Sequence, residues 1–344
     1  MKTVATVLLA ALGLAAAGTS AGAEETIKVG VIRSVSQASW LIAIEKGYFK
    51  QFGINVDMEY LQSSSTGMAS LAQGQLNIIA GGISAGYFNA LQKNLPIIIT
   101  VDRVSTPIGH NLMLRPDLKD SVKSLKDLKG KVIASNAPGS ISTYEIGKLM
   151  ETVGMSIADV EVKNIPFGQY AVALKNKAVD GVLAIPPFTY GLADSGLAVP
   201  FASSDELIKP EPMTIAVHLL NTDWAKSHQQ LVRNFYVAMT RGIRDYCNGY
   251  HGGSIRQQLI DLLIKNKDET RPKLLNEYPW PGRNLDGKIN PKSLLDIQDW
   301  YVKNKFVTSK LPLERLVDYS YSDNAQKQLG PFKLEHDDGK PGCR

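Results

Sequence analysis

Cysteine is scarce in this chain, with two in 344 residues, and histidine is little commoner, with five. His110, His218, His228, His251 and His336 are scattered, and no cysteine cluster accompanies them. Metal sites need ligands at short, regular spacing, so neither a metal nor a cofactor is expected. Blocks of like charge are missing too. The 38 Lys and Arg against 33 Asp and Glu give +5, with the signs interspersed. That excludes the basic stripe of a nucleic-acid-binding protein. Nor does any apolar run reach the ~20 residues that cross a bilayer; the segment Val4 to Ala17 stops well short. Paired carboxylates, a nucleophile beside its base and a glycine-rich phosphate loop are all absent, so no enzyme and no catalytic residue is expected.

What is present begins with MKTVATVLLAALGLAAAGTSAGAEE. Lys2 gives a positive start, Val4 to Ala17 an apolar run, and Ala21-Gly22-Ala23 a small-x-small cleavage pattern. Together they read as a secretory signal peptide over residues 1–23, cut after Ala23. No cysteine stands near that point to take a lipid anchor. In an oxidising compartment Cys247 and Cys343 can pair, tying the C-terminal tail to a helical region, or remain separate thiols; their positions leave both open.

The remaining chain is long for one core and comfortable for two domains. Thr26–Ile32, Ile54–Leu61, Leu76–Gly82 and Pro96–Asp102 read as strands, with helices over Trp40–Gly47, Thr66–Gly74 and Ser84–Asn94 between them. The rhythm restarts with strands at Lys131–Asn136, Val160–Ile165, Val179–Ile185 and Leu197–Phe201. LAQGQLNIIAGG at 71–82 can be laid over LKNKAVDGVLAI at 174–185. Strands spaced by single helices imply parallel pairing with helices on both faces, and the repetition implies two facing lobes. After Asn221 the period is helical, notably over Leu231–Tyr250, Ser254–Asn266 and Pro291–Asn304. Such a tail fits back onto the first lobe, with the chain crossing between lobes near 103–112 and 212–220.

AIEKGYFKQFGINVDMEYLQSSSTGMASLAQGQLNIIAGG resembles the opening lobe of the solute-binding proteins of nitrate, sulfonate and taurine importers, relatives of the thiamine-pyrimidine binders. LKDLKGKVIASNAPGSISTYEIGKLMETVG at 125–154 resembles the start of their second lobe, and the likeness continues through AVDGVLAIPPF at 178–188 and DIQDWYVKNKFV at 296–307. The resemblance implies an α/β, two-lobed periplasmic-binding-protein fold of type II. Each lobe is a mixed, mostly parallel sheet flanked by helices, and the helical C-terminal tail lies on lobe one. Lobe one takes residues 24–108 with 217–344, and lobe two residues 109–216. Many relatives carry a Glu-Pro step where this chain has Ile185-Pro186-Pro187-Phe188, a departure that favours a more apolar wall.

Ligands of such sheets sit beyond the carboxyl ends of the strands, where loops lead into helix starts. Four loops meet that description: Arg33–Trp40, Gln62–Gly67, Gly81–Gly86 and Ala137–Tyr144. All combine small residues with hydroxyls, which let backbone approach a ligand and hold acceptor atoms at helix N-termini. Ordinary capping explains any one of them; recurrence in both units points to a cleft. The candidate ligand contacts are Ser36, Gln37, Trp40, Ser65, Thr66, Ser84, Asn111, Ser140, Ser142, Thr143, Pro187 and Phe188. Arg33 either adds a charge there or is a solvated surface residue.

The expected function is that of a monomeric periplasmic binding protein. It captures a small organic anion of the sulfonate, taurine, nitrate or aromatic carboxylate class by lobe closure. It then delivers it to an ABC importer permease in the inner membrane with its cytoplasmic ATPase. The alternatives are an enzyme on the same fold related to thiamine-pyrimidine synthesis, or a binder of a neutral pyrimidine. The cysteine-rich segment of the enzymatic branch is missing here.

Overall fold

The computed structural model describes residues 24–344; the expected signal peptide lies outside the described residues. Ten strands form two sheets. In the first, β1 (Glu25–Val31), β2 (Ile54–Tyr60), β3 (Ile78–Gly82) and β4 (Ile97–Ser105) are joined by β10 (Thr214–Asn221). In the second, β5 (Asn111–Leu114), β6 (Val132–Ser135), β7 (Glu161–Asn164), β8 (Gly181–Ala184) and β9 (Val199–Ser203) lie together. The orders are β2-β1-β3-β10-β4 and β7-β6-β8-β5-β9.

These are one pattern used twice. In each sheet the first three strands pair in parallel, and the strand that has just crossed from the other lobe pairs antiparallel on both sides. Segments 71–82 and 174–185 end in β3 and β8, which hold the same place in their sheets. The outer β2 alternates buried and open positions, whereas the inner β8 is buried throughout, as sequence alternation and apolar runs require. The second crossing is complete by Thr214, which pairs with Ser105, so β10 begins inside the stretch 109–216.

The helical tail covers lobe one. Gln229–Tyr250 lies on Ala38–Glu45, and Ser320–Leu329 lies on Gln229–Tyr250. The tail also reaches lobe two. From the helix Pro291–Lys303, Trp300 seats over Gly147 and Asp296 accepts from Tyr144 Oη at 2.6 Å. One apolar cluster therefore runs from Phe88 in lobe one through Tyr301 to Leu149 in lobe two. Cys247 and Cys343 form a disulfide with Cα atoms 5.2 Å apart, closing a separation of 96 residues. The bridged tail ends beside the first crossing, where Gly282 N donates to Pro107 O at 2.6 Å and Cys343 N to Arg283 O at 2.8 Å.

Candidate functional site

The carboxyl ends of the parallel strands from both sheets face one cavity between the lobes, and all four serine-bearing loops reach it. Ser34 and Ser36 come from the loop after β1, Ser63 and Ser64 from that after β2, and Ser84 from that after β3. Lobe two supplies Asn136, Ser140 and Ile141 after β6, with Ile185 and Pro186 after β8. Ile108 and His110 from the first crossing, together with Phe167, Ile215 and Pro281, make the surround mainly apolar. The lobes touch across it: Ala85 N donates to Gly139 O at 2.9 Å and Asn136 Nδ2 to Gln62 O at 3.2 Å. Gly82 lies so close to Ile141 that any larger residue would hold the lobes apart.

Arg103, near the end of β4, is the cation of this cavity and is only 2% exposed. Its Nη2 donates to Ile32 O at 2.8 Å, to Ser34 Oγ at 3.1 Å and to Gln37 Oε1 at 3.1 Å; Nη1 donates to Ala80 O. The guanidinium thus ties together the ends of β1 and β3, while its Nε has no acceptor. Among the described residues no carboxylate is within ion-pair distance of it; Asp268 pairs instead with Arg33 at 3.3 Å. Burial, reinforced by the charge of Arg283, pulls Arg103 down to about 9, which leaves it ionised at neutral pH. An ionised group held out of water with no carboxylate in contact is strained electrostatically, and an anion entering the cavity relieves that strain.

Beneath Arg103 lies a second layer. Arg283 donates through Nε to Arg103 O at 3.1 Å. Asp102 accepts from Ser105 Oγ and from Asn284 N, both at 2.7 Å. Burial pushes the Asp102 carboxyl up to about 7, against the pull of those hydrogen bonds.

On the opposite side His110 turns Nδ1 to the buried carboxylate of Glu145, at 3.0 and 2.9 Å. That contact sets Nδ1 as the protonated nitrogen and leaves Nε2 for the cavity. Asp205 fixes this crossing by accepting from the N–H groups of Ile108 at 2.6 Å and Gly109 at 2.8 Å. Two further cavity atoms, Ser84 Oγ and Asn136 Oδ1, are buried without a partner.

Of the residues expected from sequence, Ser36, Ser84 and Ser140 line the cavity. Gln37 lies directly beneath it, joined to Arg103 and to Met58 Sδ at 3.1 Å. Trp40 does not: it is fully buried between Phe49, His218 and Phe235 in the core of lobe one. Ser65 and Thr66 lie just past the lining. The helix starts at Ser64, so its first turn presents Ser63 and Ser64 to the cleft and turns Thr66 to solvent. Asn111 stays with Gly109 O at 3.4 Å, Thr143 bonds Ser135 at 2.9 Å, and Ser142 is buried away from the cavity. Pro187 and Phe188 face a separate groove against Lys267–Arg271. Arg33 is neither free nor in the cavity; it stacks 3.7 Å over the Tyr60 ring and pairs with Asp268. Sequence reasoning missed Arg103, His110 and Asn136. A signal existed for the first: an Asp-Arg pair inside the apolar run Ile97–Ser105 demands buried partners.

Residues 35–249 match the family model described as NMT1/THI5 like. No curated protein matches the chain. Among solved structures, the periplasmic nitrate-binding protein NrtA from Synechocystis PCC 6803 is similar with a TM-score of 0.73 at 13% identity, covering 90% of this chain and 89% of that one. The alkanesulfonate-binding protein SsuA from Xanthomonas axonopodis pv. citri, bound to MOPS, has a TM-score of 0.71 at 15% identity, covering 87% and 100%. The desulfurization enzyme DSZB has a TM-score of 0.60 at 13% identity, covering 89% and 100%. At these identities the likeness is one of fold, and it is the two-lobed periplasmic-binding-protein fold.

Proposed function

The chain belongs to the NMT1/THI5-like family, and on that premise we propose that it is the periplasmic solute-binding component of an ABC importer, taking a small organic anion into the cleft. The observation that carries this reading is Arg103: a buried, ionised guanidinium with no carboxylate partner, set where four helix-start loops converge. The serine hydroxyls around it add donors for anionic oxygens, and the helix starts add their partial positive charge. Support for the binding role comes from the nitrate- and sulfonate-binding proteins of the same fold. Bound anion bridging both lobes favours the closed form, which is what a permease would sense before the ligand passes to it.

An enzyme on this fold is the second reading, and the buried His110–Glu145 pair is the observation in its favour. Among the described residues no serine hydroxyl is hydrogen-bonded to His110, so the arrangement of a protein nucleophile beside its base is not present there.

Thermal-shift measurements with nitrate, taurine, alkanesulfonates, aromatic carboxylates and the thiamine pyrimidine test the proposal, each acid being matched with its neutral ester or amide. A binder at 100 times its Kd stabilises by about 2.7 kcal/mol. Equal stabilisation by acid and ester overturns the anion reading, and turnover of any probe overturns the binding role. Small-angle scattering is expected to show compaction with the stabilising acid.

A further inference from the structure

The two walls of the cavity ask for opposite things. Lobe one offers donors: Arg103, with Nε unpartnered, and Ser84, whose Oγ is buried without a partner. The lobe-two side offers an acceptor. Asn136 gives its Nδ2 to the carbonyl of Gln62 at 3.2 Å, which fixes the amide orientation and leaves Oδ1 buried with no donor. His110 gives Nδ1 to Glu145, so its remaining ring nitrogen, Nε2, is the one available to a ligand. A carboxylate or sulfonate cannot donate to Asn136 Oδ1, and leaving a buried carbonyl unpaired is costly. The ligand therefore needs a hydrogen-bond donor away from its anionic end.

That donor is not an ammonium. The carboxylate facing the lobe-two side, Glu145, is already taken up by His110, and the surrounding wall is Ile108, Ile141, Phe167, Ile185 and Pro186. An ammonium there would be a buried charge without a partner. A hydroxyl fits: its one proton goes to Asn136 Oδ1, and its oxygen accepts from His110 Nε2 when that nitrogen carries a proton. Between the two ends the wall is apolar, which suits a ring or branched hydrocarbon and disfavours a polyhydroxylated acid.

We propose that the cleft selects a hydroxy acid: a monoanion with a compact apolar body and a hydroxyl directed to Asn136 and His110. This rests on the anion reading above. It predicts a hydroxyl advantage that is lost when either partner is changed.

Calorimetric titration of the full mature chain with benzoate against its meta- and para-hydroxyl derivatives, and with isovalerate against alpha-hydroxyisovalerate, reads that advantage directly. At least one hydroxylated acid is expected to bind about tenfold tighter than its parent, the worth of one good buried hydrogen bond. Taurine is expected to bind more weakly than that acid. In Asn136→Ala, and independently in His110→Asn, which keeps a nitrogen toward Glu145, the ratio of parent to hydroxy-acid Kd falls toward one. Unliganded melting curves of both variants check folding; because the readout is a ratio within one variant, a uniform loss of affinity does not mimic it. If no hydroxylated acid outbinds its parent, or the advantage survives in both variants, the hydroxy-acid proposal falls while the anion reading stands. If the para-hydroxybenzoate methyl ester binds as tightly as the acid, the anion reading falls as well.

Discussion

In lobe one the cleft wall carries Arg103 with Ser34, Ser36, Ser63, Ser64 and Ser84; in lobe two it carries a single serine, Ser140, with Ile141, Ile185, Pro186 and Asn136, facing the His110–Glu145 pair. Yet the two sheets have the same strand order, down to the antiparallel strand that arrives from the other lobe. Topology thus fixes where the loops gather and leaves open what they carry. The lobes differ below the surface too. Lobe one rests its cation on Arg283 and Asp102 and is tied by the Cys247–Cys343 bridge, whereas lobe two is fastened through Trp300 and Asp296 of the tail helix.

The disulfide offers the largest way to break this asymmetry. Opening a link across 96 residues, in a Cys247→Ala/Cys343→Ala double variant, is expected to cost on the order of 4 kcal/mol, read by urea unfolding. The loss should appear in lobe one and at the hinge, so hydrogen exchange of β5–β9 should change least. Next comes the charge. Arg103→Met is expected to lower affinity for the tightest acid by about 3 kcal/mol, roughly a hundredfold, and Arg103→Lys by less, because the charge is kept although an ammonium cannot reproduce the fork that holds Ile32 O and Ala80 O. Calorimetry separates the two. A smaller effect probes the fastening of lobe two. Gly147→Ala drives a methyl into the Trp300 ring and is expected to destabilise by about 2 kcal/mol, whereas Gly168→Ala, with open space around it, stays within about 0.5 kcal/mol.

The last test is pH. The Asp102 carboxyl, with an ordinary value of 3.8 and about 7 when folded, binds its proton more tightly in the native state. Between those values the folded chain holds a proton that the unfolded chain lacks, so stability falls as pH rises from about 4 to 7 and levels off above. The contribution is at most about 1.4 kcal/mol per pH unit. Denaturant titrations of wild type and Asp102→Asn across that window check it: the variant should lose this component of the slope.

Much of the fold was legible because strand and helix periodicity is local. Ile54–Tyr60 alternates, Thr214–Asn221 is an apolar run, and the four serine loops follow strands as expected. The individual contacts were less so. Starting the helix after β2 at Thr66 rather than Ser64 put the lining two residues late, and on a helix two residues turn the side chain to another face. Trp40 has the composition of a cleft wall, but its helix is covered by Gln229–Tyr250, nearly two hundred positions away in sequence. Arg103 stood in plain view inside an apolar strand; nothing local told whether its partners would be a carboxylate or the carbonyls of Ile32 and Ala80.

By itself the sequence determined the alternation of strands and helices, its repetition, the small hydroxyl-bearing loops at helix starts and the apolar step at Ile185–Phe188. These follow from the pattern of neighbouring residues, which restricts backbone and burial within a few positions. Only the tertiary structure decided that Arg103 is the unpaired cation of the cleft, that Glu145 claims His110, that Asn136 keeps a bare oxygen and that Cys247 meets Cys343. Each of these depends on which distant segments are brought together, and burial turns such meetings into a demand for a particular partner.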